Sequence, residues 1–387
     1  MPLCVPAPLE DRWEAALAAS LDRRVDPKAL AVMVGRQSAR YRGENVPLAH
    51  GDALTARTLF WFPRDLLKVA LPVEELLAAG ALPERPLRIL DLGAGVGATS
   101  FGVIRALRES RAVAHVTALD SDPQALALLR RVLDAAAKAS LLPRPSELVT
   151  EVRDLSAPDW DRGLDRFDLV TVGLSLVEVT RGDDDRAARL AALLTAALTH
   201  VADDGALLVI EPATREEARA LQGARDALVA RGVTVFAPCP HTRACPMLPN
   251  PRDWCHDDLP DVALPPWLVP IARAAGLRWE GLTFSYLTLR RDGRTFASTV
   301  ARPGRRALRL LSAPIETKGK TEVIVCGDVP QETATVRLLE LAREAKHADV
   351  SLSTLARGEV IAVEDEALAA PGKTARVKPG QWHPRGS

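Results

Sequence analysis

The most constraining feature of this chain is a six-residue run, Leu87-Arg88-Ile89-Leu90-Asp91-Leu92, that passes directly into Gly93-Ala94-Gly95-Val96-Gly97. A short apolar run ending in glycines reads as a buried parallel strand turning into a helix. Glycines remove the Cβ that would keep backbone away from a ligand, and the following helix N-terminus offers unpaired N–H groups to an anion. A strand buried on both faces needs neighbours, and the sequence provides them. Strands are predicted over 113–119, 148–152, 167–174, 205–210 and 233–237. Helices are predicted between them, over 98–108, 123–137, 185–200 and 215–231. This alternation predicts an α/β fold with a doubly wound, Rossmann-like sheet.

The flanks differ. Residues 1–84 read as an N-terminal helical region, with Leu9, Trp13, Ala16, Leu17 and Leu21 at three- and four-residue steps. Residues 85–237 form the sheet domain, and 238–366 a cysteine-rich loop followed by a β-rich extension. Within that extension, 331–347 reads as helix. Residues 367–387 read as a disordered tail.

The loop alone fits two ligand types, because Gly93 to Ala98 also matches the relaxed dinucleotide fingerprint. Two features favour S-adenosylmethionine (SAM). Asp91 stands two residues before the first glycine, where it would hold the methionine amine. The loop also comes after an N-terminal helical part, and the later strand-end positions fit: Asp120, at the end of the second strand, would accept hydrogen bonds from the ribose hydroxyls. Asp154, after the third strand, would meet the adenine amine, and Leu174 and Ser175 would line the floor. The expected cofactor site is therefore Asp91, Gly93, Ala94, Gly95, Gly97, Asp120, Asp154, Leu174 and Ser175. The sheet is expected to be of the SAM-methyltransferase type. The alternatives are a nicotinamide cofactor and a turn with no ligand.

No catalyst is identifiable. The stretch after the fourth strand is Gly173-Leu174-Ser175-Leu176-Val177-Glu178, with no Asn/Asp-Pro-Pro-aromatic motif. Glu178 reads as a solvated or capping glutamate rather than a general base. Whether the chain is an enzyme stays open.

The chain has five cysteines, and three fall in one Pro-rich stretch: Cys239, Cys245 and Cys255. Thiolates are soft donors for zinc and iron–sulfur clusters, and a metal would supply folding energy that such a loop lacks. Cys326 ends a strand-like run and would be a fourth ligand; Cys4 reads as a bystander. His241 and His256 would complete a zinc site with two or three cysteines, so zinc and a 4Fe–4S cluster both stay open on spacing.

Lys+Arg and Asp+Glu both number 50, which argues against nucleic-acid binding by bulk charge. Residues 286–325 are locally basic. They hold Arg290, Arg291, Arg294, Arg302, Arg305, Arg306, Arg309, Lys318 and Lys320 against Asp292, Glu316 and Glu322. That strip reads as a phosphate-contacting surface or as a solvated strand face. No apolar run is long enough to span a membrane. The N-terminus lacks a secretory or transit pattern, so a cytoplasmic protein is expected.

The segment Glu211-Pro212-Ala213-Thr214, a helix ending Ala230-Arg231-Gly232, and the string Cys239-Pro240-His241, Cys245-Pro246 and Trp254-Cys255-His256 together resemble one family. It is the methyltransferase-like family associated with the small ribosomal subunit, with mitochondrial assembly factors and bacterial relatives. Phe284-Ser285-Tyr286 and Asp91–Gly97 match its other elements, and the likeness covers roughly residues 25–330. The resemblance implies a 4Fe–4S cluster on Cys239, Cys245, Cys255 and Cys326. It also implies the small subunit and its rRNA as partners of a protein monomeric off the ribosome. Asp257 departs from the family's aromatic, and Gly281-Leu282-Thr283 from its acidic-lysine run. The expected function is a SAM- and cluster-binding factor in small-subunit assembly or translation. The alternatives are an active rRNA methyltransferase and a small-molecule methyltransferase with structural zinc.

Overall fold

The computed structural model describes residues 6–346, 348–369 and 372–384. Cys4 lies outside the described residues.

The N-terminal region is helical, as its periodicity requires. It comprises α1 (Arg12–Ala19), α2 (Pro27–Tyr41), α3 (His50–Ala56), a π turn (Arg57–Trp61), α4 (Phe62–Lys68) and α5 (Ala70–Ala78). Trp13 packs on Phe62, and Phe62 on Phe101, with ring centroids 5.6 and 5.7 Å apart. These helices thus share a core with the sheet domain rather than forming a separate body.

The sheet domain follows the predicted alternation. Its elements are β1 (Leu87–Leu92), α6 (Ala98–Leu107), β2 (Val113–Asp120), α7 (Pro123–Lys138), β3 (Glu147–Val152), β4 (Phe167–Gly173), α8 (Leu176–Val179), α9 (Arg186–Thr199), β5 (Val201–Glu211), α10 (Arg215–Ala230) and β6 (Thr234–Ala237). Local chemistry starts the helices. At α7, Asp122 accepts from the N–H groups of Gln124 and Ala125 at 2.9 and 3.2 Å, with Pro123 at the first position. In β5, Leu208 and Ile210 enter one core and Leu207 and Val209 the other, the period-2 pattern of a strand buried on both faces.

The sheet order is β3-β2-β1-β4-β5-β8-β6, where β8 is Leu282–Arg290. β8 runs antiparallel to both β5 and β6. The short β7 (Asp257–Leu259) also pairs with β8. The boundary expected at residue 237 therefore cuts through this sheet. β8, nearly wholly buried, completes it from beyond the cysteine loop. α11 (Leu268–Ala274) packs back on α2 through Ile271, Leu30 and Val34.

A second, mixed sheet has the order β14-β12-β11-β9-β13-β15. Its strands are β9 (Arg305–Leu310), β10 (Ile315–Thr317, beside β11), β11 (Lys320–Gly327), β12 (Thr335–Leu341), β13 (Val360–Glu364), β14 (Thr374–Arg376) and β15 (Trp382–Pro384). Two expectations fail here. The helix predicted over 331–347 is β12 plus one helical turn, Ala342–Ala345. Val336, Leu338 and Glu340 alternate inward, and pairing with β11 over seven positions overrides helix propensity. The described part of the tail is also structured. Trp382 is 1% exposed, and its Nε1 donates to the buried Glu340 at 3.2 Å. One buried aromatic anchors a segment whose composition reads as disordered.

Candidate functional site

The carboxyl ends of β1, β2, β3 and β4 open into one cleft of about 640 Å³. Gly93, Ala94, Gly95, Asp120, Asp154, Leu174 and Ser175 all line it, so seven of the nine expected residues come together. Gly93 has φ +68°, and a Cβ there would lie 2.5 Å from Ser175, so the turn and the β4 exit can touch only through glycine. Gly95 has φ +53° and open space where its Cβ would be. Its N–H donates to Asp120 at 2.7 Å, and the second Asp120 oxygen accepts from the N–H of Asp122 at 2.8 Å. Burial pushes the Asp120 carboxyl up, and those two N–H groups partly offset it. Asp154 sits exposed at the mouth, held below the usual carboxylate range by the Ser156 hydroxyl and N–H. Leu174 is a non-glycine residue at φ +60°, fixed by an N–H···O bond of 2.7 Å to Ile210.

Asp91 and Gly97 do not line the cleft. Asp91 is fully buried beneath the loop. It accepts from the Ser100 hydroxyl and N–H at 2.5 and 3.1 Å and from the Thr171 hydroxyl at 2.9 Å. Burial raises its pKa to about 6 against those donors. The residue expected to hold a ligand amine instead ties β1 to α6 and β4. Gly97 faces Leu129 and Phe101, so it serves packing at the start of α6.

Several cleft residues were missed by sequence reasoning. Gln37 and Tyr41 of α2, and Arg57 and Trp61 of the π turn, form the wall opposite the sheet. Arg57 pairs with Glu178 of α8 at 2.9 Å across 121 residues of sequence. No local motif marks these side chains. A single Arg in a helical segment signals nothing until the helix is docked.

The cysteines meet elsewhere. Cys239, Cys245, Cys255 and Cys326 line one small cavity of about 50 Å³ together with Arg225, His241 and Tyr286. All are free thiols. α10 organises the loop that carries three of them. Arg219 donates to the carbonyls of Met247, Leu248, Asn250 and Asp253 at 2.7–3.1 Å. Arg225 donates to the carbonyls of His241 and Arg243. Gln222 and Ser285 both donate to the Cys255 carbonyl, at 3.0 and 3.1 Å. Asp226 accepts from the Cys245 N–H at 2.9 Å. Arg243 reaches the second sheet through the carbonyls of Val329 and Gln331.

His241 Nε2 lies 3.1 Å from Cys326 Sγ, and its Nδ1 is buried without a partner. Burial holds this imidazole at a pKa of about 4, hence neutral. Burial raises all four thiols, Cys245 to about 12, with neighbouring cysteines adding to the rise in Cys245, Cys255 and Cys326. Four converging sulfurs that cannot ionise alone are a donor set suited to a positively charged inorganic group. Among the described residues, no group of three or more His, Cys, Asp or Glu that could hold a metal ion is found.

The basic strip is a surface only in part, with Arg291, Arg294, Arg302 and Lys318 exposed. Arg290 is 1% exposed and pairs with Asp292 at 2.5 Å. Arg309 is 3% exposed and bridges Glu75 and Asp257 at 3.1 and 2.7 Å. Neither can meet phosphate, because buried guanidinium groups are held where acids neutralise them. Arg291 and Arg294 donate to carbonyls of Val201 and of Ala79 and Gly80. Arg305 lies 3.7 Å from Glu364, Arg306 is paired with Asp365 and Asp328, and Lys320 with Glu322. Arg302 and Lys318 are exposed, and Arg302 donates to the nearby carbonyls of Thr299 and Ala301. Among the described residues, no helix is long and apolar enough to cross a membrane.

Solved structures similar to this chain include magnesium protoporphyrin IX methyltransferase from Synechocystis PCC 6803 with bound SAM. It is 12% identical over 70% of this chain and 100% of that one, with a TM-score of 0.34. Precorrin-6y C5,15-methyltransferase from Geobacter metallireducens is 16% identical over 56% and 86%, at 0.32. TrmN from Thermus thermophilus is 18% identical over 59% and 52%, also at 0.32. No curated protein sequence matches the chain significantly. The family described as mitochondrial small ribosomal subunit Rsm22 matches residues 73–349, well over half of the chain, covering the sheet side of the cleft and all four clustered cysteines. The chain belongs to the Rsm22 family of the small ribosomal subunit.

Proposed function

We propose that this protein is a methyltransferase-fold factor of the small ribosomal subunit that binds SAM in the β1–β4 cleft and a 4Fe–4S cluster on Cys239, Cys245, Cys255 and Cys326. The observation that carries the reading is the convergence of those four sulfurs on one cavity, three from the loop and one from β11. The cavity, about 50 Å³, exceeds the ~10–15 Å³ that a single water needs. The family likeness, rather than the cavity itself, favours a multi-iron group over zinc on these four cysteines. The cluster would cross-link the loop to the second sheet and supply folding energy there. The protein acts as a monomer off the ribosome and contacts rRNA through exposed cations such as Arg302 and Lys318.

The role favoured is in assembly or translation rather than methyl transfer, although the cleft also carries a His50–Asp122 pair 3.1 Å apart that an active enzyme would use. Labelled SAM is incubated with the protein and precursor small subunits. The expected result is bound SAM and co-sedimentation with the subunit, without label on the RNA. Label on rRNA would replace this reading with an active rRNA methyltransferase. Absence of subunit binding would remove the ribosomal role.

A further inference from the structure

The burial of Asp91 leaves the amino-acid end of SAM without the acid expected to hold it. Both Asp91 oxygens are taken by Ser100 and Thr171 below the glycine turn. The cleft contains a different device. Arg57 Nη2 lies 2.9 Å from Glu178 Oε1, with the two side chains 28% and 48% exposed. They come from two elements distant in sequence, the π turn and α8. Arg57 opens the π turn that displaces the helix register over Arg57–Trp61, a feature that recurs at functional sites. Glu178 lies in α8, three residues after Ser175, the residue held against the glycine turn. Asp120 feels the Arg57 charge, so the pair sits beside the acid that would take the ribose. Arg57 also has a buried Nε without a partner.

We propose that the Arg57–Glu178 pair is the receptor for the zwitterionic amino-acid end of SAM, the guanidinium taking the α-carboxylate and Glu178 the α-ammonium. This rests on the reading of the cleft as a SAM site. A zwitterion suits such a pair because it splits one ion pair into two, and neither protein charge is ever left uncompensated. Empty, the two groups neutralise each other; filled, each meets the opposite charge of the ligand.

The full chain is titrated calorimetrically with two probes, S-adenosylhomocysteine and 5′-methylthioadenosine. The second carries the same adenosine and a thioether but no amino acid. Glu178→Gln and Arg57→Met are each expected to weaken S-adenosylhomocysteine on the order of tenfold or more, because charge-assisted bonds are lost. Both should leave 5′-methylthioadenosine within about twofold of the wild type. Equal weakening of the two probes, or of neither, overturns the assignment. Wild-type protein that binds neither probe overturns the SAM site itself. Glu178 is half-exposed, so Glu178→Gln carries the test if Arg57→Met fails to fold.

Discussion

Arg309 of the second sheet and Glu75 of α5 meet at 3.1 Å, 234 residues apart in sequence, with both side chains sealed from solvent. Tyr286 donates to the other Glu75 oxygen at 2.6 Å, and Asp257 takes the far side of the guanidinium at 2.7 Å. The two acids and one arginine lock the N-terminal helices, β8, the cysteine loop and the second sheet together. Arg309→Ala should destabilise the protein by about 3–5 kcal/mol, because it leaves buried carboxylates unpaired. Arg302→Ala, at an exposed site, should change stability by no more than about 0.5 kcal/mol. Chemical denaturation of both variants checks this; equal effects would return Arg309 to the surface.

The glycine turn separates two substitutions by mechanism. Gly93→Ala drives a Cβ to 2.5 Å from Ser175 at positive φ, so it should lower stability by about 1–3 kcal/mol as well as disturb the cleft. Gly95→Val projects into open space. It should abolish SAM binding while costing only the strain of its positive φ, about 1 kcal/mol or somewhat more. Thermal melts and SAM titration on both variants distinguish the two. Unchanged SAM affinity in Gly95→Val would take the turn out of the site.

Glu211 gives a pH signature. It is buried at the end of β5, where its carboxyl accepts from the Leu176 N–H at 3.3 Å. Burial, with the neighbouring Glu217 charge adding, raises its pKa from 4.5 to about 8. Between those values the folded chain keeps a proton that the unfolded chain has released, so this residue makes stability fall as pH rises through the window. Glu211→Gln should flatten that fall. Denaturation midpoints across pH 5 to 8 that decline equally in both proteins would show that Glu211 is not the group responsible.

Much of the sheet domain was legible because its signals are local. Apolar runs, a glycine turn and an Asp N-cap mark strand, turn and helix within a few residues. Asp120 could be named because it ends a strand. What local pattern cannot show is the direction of a side chain and its distant partner. Asp91 sits in the correct strand-end position, but its carboxylate turns under the loop to Ser100. Arg290 and Arg309 counted as surface charge because their acids and carbonyl partners lie on other elements. β12 read as helix because its pairing with β11 is tertiary. Three cysteines were legible as a group by their density and Cys326 by its place at the end of a strand-like run, but the choice of an iron–sulfur cluster over zinc came only through the family resemblance.

RNA contact should depend on exposed cations that have no acidic partner among the described residues. Arg302→Glu with Lys318→Glu should weaken rRNA binding and shallow its salt dependence by about one unit per lost phosphate contact. Filter binding across a salt series checks this. An unchanged slope would place the RNA surface elsewhere.

The most direct test is the metal and sulfide content of the full chain purified without oxygen. The account predicts brown protein with about four irons and four sulfides per chain, lost when Cys326 is changed to Ser. Colourless protein carrying one zinc per chain would contradict it.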